Sequence, residues 1–176
     1  MRLCVFSVFA LLCACAPKAP PRWAEGGAEL AIPQARWDRP DDDPIEIHPD
    51  GKVMEGGSLK FVLDRVGRVT DNDYEPFAVL QPDGHLAGTD GHPLGYVGLS
   101  NASPPDSEHA WLAVQPDGAV IYFDPDGERS TGGAWRGCAG AGQRACALVT
   151  QIYAMRNYMR RRQGGVTFGV GIGVGL

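Results

Sequence analysis

Apolar positions fall in short runs separated by turn signals from residue 45 to about residue 135. The tripeptide Pro-Asp-Gly recurs at Pro49-Asp50-Gly51, Pro82-Asp83-Gly84, Pro116-Asp117-Gly118 and Pro125-Asp126-Gly127. Proline presets φ at the first central turn position, Asp suits the second, and Gly takes the left-handed conformation that leaves the turn. β-Formers flank these turns. Ile45 and Ile47 precede the first, Phe77, Val79 and Leu80 the second, and Trp111-Leu112-Ala113-Val114 the third, with Val120-Ile121-Tyr122-Phe123 after it. Val66-Gly67-Arg68-Val69 marks a further hairpin after Leu59-Lys60-Phe61-Val62-Leu63. The first three tripeptides lie 33 and 34 residues apart, which points to a degenerate internal repeat. This pattern predicts an antiparallel meander of short hairpins, folded as a sandwich or barrel to hide its edges.

The period then changes. Ala145, Leu148, Ile152, Met155 and Met159 alternate spacings of three and four, predicting a helix over about 143–163 with one apolar face. Gly164-Gly165 stops it, and Arg156, Arg160, Arg161 and Arg162 suit its C-terminal dipole. From Val166 to Leu176 apolar residues alternate with Thr167 and four glycines, which predicts a final Gly-rich strand. Eleven residues without charge or proline would be an aggregation hazard if exposed, so this strand is expected in the domain's sheet.

The start of the chain reads differently. Met1 to Leu12 places one arginine before an apolar run too short to span a bilayer, which takes ~20 residues. That is the design of a secretory signal, here 1–14. Leu12-Cys13-Ala14-Cys15 resembles the lipobox of bacterial lipoproteins, an aliphatic residue and two small ones before the cysteine that is lipidated. The resemblance implies lipid on Cys15, and Ala16 after it implies outer-membrane sorting. Residues 15–44 hold Pro17, Pro20, Pro21, Pro33, Pro40 and Pro44 and the run Asp41-Asp42-Asp43, and read as a lipidated, proline-rich tether before the β-rich domain 45–176. Trp23 and Trp37 are the exceptions, as residues able to pin the tether to the domain.

Composition narrows the function. The 176 residues carry a formal net charge of -5, against a nucleic-acid role, which needs a basic surface. Of five cysteines, cleavage before Cys15 discards Cys4 and Cys13. Lipidation uses Cys15, leaving Cys138 and Cys146 as a pair for a disulfide in an oxidising compartment. A metal site there lacks further ligands nearby. Gly137-Cys138 is similar to the Gly-Cys of L,D-transpeptidases, but that family places an arginine just after the cysteine, where this chain has Ala139-Gly140. That reading is rejected.

His48, His85, His92 and His109 sit at turns and carry no metal expectation. Asp124-Pro125-Asp126-Gly127-Glu128 resembles the opening of a calcium loop but lacks the later ligands, and reads as a turn. The stretch from Ile121 to Gly132 is similar to one copy of the choline- and glucan-binding wall repeats, which work in tandem copies. No nucleophile elbow, zincin or phosphate-loop motif occurs. The expectation is a lipid-anchored envelope protein, a non-catalytic structural or interaction module without cofactor or metal. Its partners are the membrane through the lipid and an envelope protein or glycan. The alternative is a glycan-binding module using Trp111, Tyr122, Phe123 and Trp135. A third reading, an envelope hydrolase, has no residues to name.

Overall fold

The computed structural model describes residues 18–105, 107 and 109–164. The signal 1–14, Cys15 and the expected strand 166–176 lie outside these. The fold is mainly β, with a helix after the last strand. Twelve strands form one closed antiparallel barrel: β1 (Ala35–Asp38), β2 (Ile45–Ile47), β3 (Lys52–Glu55), β4 (Ser58–Leu63), β5 (Arg68–Asp71), β6 (Pro76–Leu80), β7 (His85–Gly88), β8 (Pro93–Val97), β9 (Asn101–Ser103), β10 (Leu112–Val114), β11 (Ala119–Phe123) and β12 (Arg129–Arg136). Each strand pairs with its sequence neighbour, and β1 closes the ring on β12 with Trp37 opposite Trp135. Closure leaves no unpaired edge among these strands.

The repeat is finer than the tripeptide spacing shows. Turns begin at His48, Asp64, Gln81, Gly98 and Gln115, about every seventeen residues, and each follows a buried residue: Ile47, Leu63, Leu80, Val97 or Val114. The unit is therefore one hairpin, and Pro-Asp-Gly survives at alternate turns. In the turns of Gly51, Gly67, Gly84 and Gly118, the glycine carbonyl accepts the N–H of Leu63, Leu80, Val97 or Trp135 from farther along the sheet. These five turns make one rim. The turn at Pro125-Asp126-Gly127 belongs to the opposite rim, since β11 runs away from the first.

The helix α1 (Gln143–Gly164) enters at that first rim, where Gln143 Nε2 donates to the Val114 carbonyl at 2.7 Å. Every residue from Ala145 to Tyr153 is buried. Its side chains reach strands on all sides: Thr150 accepts from Trp135 of β12, Gln151 donates to the carbonyls of Leu94 in β8 and Ser103 in β9, and Tyr153 meets Trp37 of β1 and Phe61 of β4. The helix thus fills the barrel. Polar and apolar faces are equally internal, which corrects the expectation of a single apolar face.

The expected tether over 15–44 is in large part fold. Residues 18–34 start beside Asp90 on the second rim and from Gly27 on lie against the turns of the first, burying Ala28 and Leu30 and donating from the Gly27 and Leu30 N–H groups to the carbonyls of Val66 and Arg65. Ala35–Asp38 is then a barrel strand with Trp37 2% exposed. The prolines break helical or strand periodicity without preventing packing, because the Ala28 and Leu30 N–H groups find acceptors in the Leu80 and Arg65 carbonyls. Trp23 lies under the Arg68 guanidinium, 5.8 Å from its ring centre.

Candidate functional site

The second rim gathers most of the unusual side chains. Arg39, one residue beyond β1, turns back over the mouth and is 9% exposed. Its guanidinium donates to Glu55 at 2.5 Å and to the carbonyl of Asp43, and stands 5.5 Å from the Trp37 ring centre and 5.2 Å from that of Tyr153. Lys60 approaches Glu55 at 3.5 Å. Arg156, one turn beyond Tyr153 on α1, covers the rings of Phe61 and Tyr153 at 5.7 and 5.8 Å. Three cations, Arg39, Lys60 and Arg156, face the two carboxylates of Glu55 and Asp42, and aromatic faces take the remaining field.

Two tyrosines complete the cluster. Burial pushes the Tyr122 phenol up to about 12, with Asp42 adding to the shift and Arg39 opposing it. Burial, and then the negative charge of Glu55, raises Tyr153 further, and its buried hydroxyl makes no hydrogen bond of good geometry. Both phenols stay protonated near neutral pH, so neither is a base there. The arrangement braces the mouth and holds the helix end in register. It supplies no activated nucleophile.

Of the four aromatics of the glycan-binding alternative, three lie at one rim. Trp111, Tyr122 and Phe123 share the second-rim ends of β10 and β11, where the Phe123 N–H donates to the Trp111 carbonyl. Trp135 is not with them: it stacks on Trp37 with ring centres 5.4 Å apart, and its indole N–H donates to Thr150 at 3.0 Å. The Trp111 indole donates to Gln151 at 2.7 Å and its ring meets Tyr158 edge-on. Tyr122 lies over Gly132, where an added β-carbon would come within 2.4 Å of its ring. The faces of Trp111 and Tyr122 are thus used inside the protein, while the Phe123 ring lies under the Arg129 guanidinium at 5.7 Å, and an open aromatic platform is not formed.

Cys138, just after β12, and Cys146, in the first turn of α1, are paired at disulfide distance, with Cα atoms 6.1 Å apart. The Asp124–Glu128 segment is a turn closed by the Gly127 N–H on the Asp124 carbonyl. Among the described residues no three His, Cys, Asp or Glu side chains converge as metal ligands.

Arg39, Glu55, Tyr153 and Arg156 had no motif in the sequence. The signal for the helix's central place was present: from Ala145 to Met155 no residue is charged, on any face. Family profiles, curated proteins and solved structures contain no match to this chain.

Proposed function

We propose that this protein is a lipoprotein of the bacterial envelope, anchored through Cys15, whose filled barrel serves as a non-catalytic interaction module. The observation that carries the module is the filling of the barrel by its own helix. A twelve-stranded barrel is wide enough to enclose a ligand, and here that volume is taken by α1 from Ala145 to Tyr153. Partner recognition then falls to the rims and the outer face. There Arg36, Asp38, Glu46 and Arg136 form a ladder of exposed ion pairs across β1, β2 and β12. Such pairs contribute little stability and are free to exchange partners. The anchor rests on Leu12-Cys13-Ala14-Cys15. Among the described residues no helix is long and apolar enough to cross a membrane, so the reading gives attachment to the lipid.

The test is the mass of the N-terminal peptide from protein purified out of the membrane fraction. The expected peptide begins at Cys15 and carries acyl chains; one that begins elsewhere, or is unmodified, overturns the anchor. For the module, the mature chain should bind isolated cell wall or a specific envelope protein saturably and without turnover.

A further inference from the structure

The barrel strands close on one another, but the segment laid across their first rim keeps a free edge. Ala28 and Leu30 are buried there and donate their N–H groups to the Leu80 and Arg65 carbonyls. Glu29 and Ala31, which alternate with them, are exposed. Among the described residues their N–H and carbonyl groups have no hydrogen-bond partner. That alternation is the habit of an extended strand, in which successive residues turn their backbone groups to opposite edges. Pro33, which has no N–H, ends the edge.

The edge borders a groove of ≈ 610 Å³ lined by Glu29, Leu30, Ala31, Ile32, Arg65 and Val66. Val66 is 42% exposed and Ile32 half-buried, so much of the lining is apolar. One acid and one base stand in it, and neither Glu29 nor Arg65 forms an ion pair among the described residues.

We propose that this edge is an interface between two copies of the chain, which pair antiparallel through residues 29–31 about a two-fold axis at Leu30. In that register Glu29 of one protomer lies opposite Ala31 of its partner, and such a pair exchanges both of its N–H···O bonds. The free backbone groups of both residues are then satisfied together. A two-fold interface uses the same patch twice, so the patch must carry its own complement. This one does: the Glu29 carboxylate of each protomer meets the Arg65 guanidinium of the other, and apolar side chains flank the pair. A foreign peptide strand could take up the backbone groups too, but only by supplying an acid and a base of its own in the right places. A second copy supplies them already. The contact is small, below about 1,200 Å², so the dimer is weak and reversible. It goes beyond the function proposed above and does not depend on whether Cys15 is lipidated.

The test is sedimentation velocity of the full chain in mild detergent, from low to high micromolar concentration, beside amide hydrogen exchange at residues 29 and 31. The expected result is a monomer–dimer equilibrium in which both amides gain protection as the dimer fills. Glu29→Arg or Arg65→Glu alone brings like charges together and should weaken association about tenfold. The two combined restore opposite charges and should recover most of that loss. Ala31→Pro removes a donor of the pair and should abolish the dimer. It should leave the thermal midpoint unchanged, because the Ala31 N–H has no partner in the described monomer. A chain that stays monomeric throughout leaves the groove to another occupant and overturns the proposal. So do amides at 29 and 31 that exchange equally fast at every concentration, or a double swap that associates no better than the single variants. A dimer that survives Ala31→Pro overturns it as well, since its interface then lies elsewhere on the chain.

Discussion

At Gly118, φ is +92° and an added β-carbon would stand 2.0 Å from the Trp135 carbonyl oxygen; at Gly127, φ is +81° and nothing lies within 4 Å. Both close the same tripeptide, so only the surroundings separate them. Gly127→Ala should cost about 1 kcal/mol for the left-handed backbone alone. Gly118→Ala adds a collision with a main chain that cannot yield, and should cost roughly 3 kcal/mol. Denaturant midpoints of the two variants will show the difference. The aspartates of these turns carry a second expectation. The Lys52 ammonium and N–H hold the Asp50 carboxyl below its ordinary value, and the His85 N–H does the same for Asp83. A carboxyl lowered in the folded state stabilises above its unfolded pKa, about 4, and that contribution is lost as pH falls through the folded value. Melting temperature should therefore decline on acidification below about pH 4. Replacing both residues with Asn, which keeps the turn acceptor, should make that decline shallower; an unchanged acid limb in scanning calorimetry would refute the assignment.

Among the elements, the helix differs most from its sequence pattern. Thr150 and Gln151 fall between the apolar positions of that pattern and are fully buried. Each is satisfied: Thr150 donates to the Cys146 carbonyl while accepting from Trp135, and Gln151 joins Trp111 to the carbonyls of Leu94 and Ser103. Gln151→Leu would remove three bonds and strand their partners inside the barrel, at a cost of about 3 kcal/mol. Its denaturant midpoint should fall accordingly with the slope unchanged. A three-four periodicity identifies a helix and one face of it; whether the remaining faces meet water depends on what surrounds it. Hairpins are more legible because their determinants are local. Each needs a turn residue able to adopt positive φ and an alternation of a few residues on either side.

For the whole molecule, closure and filling are a single event. β1 and β12 meet across about a hundred residues of chain, and α1, following β12, must be enclosed as the ring forms. Barrel and helix should unfold together, so the amides of 145–152 are expected to exchange only through global unfolding. Measured protection at those amides well below the unfolding free energy would show that the helix leaves a standing barrel. The Cys138–Cys146 pair ties the first turn of α1 to the end of β12 and so limits how far the helix can stray before it is enclosed. Loss of so short a loop closure should cost about 2.5 kcal/mol. Melting with and without reductant, beside intact mass for the two thiols, tests it.

The sequence by itself determined the class of fold, the hairpins and the existence of the helix, because turn chemistry and short-range periodicity are properties of neighbouring residues. The tertiary structure alone decided that the sheet closes, that the helix lies inside it, that residues 18–38 belong to the fold, and that Trp135 is core while Arg39 caps the mouth. Those outcomes depend on how many twisted hairpins are needed to bring β1 back to β12, and on whether the space they enclose matches a helix. Neither is written in any window of residues, since both are set by contacts between segments far apart in the chain.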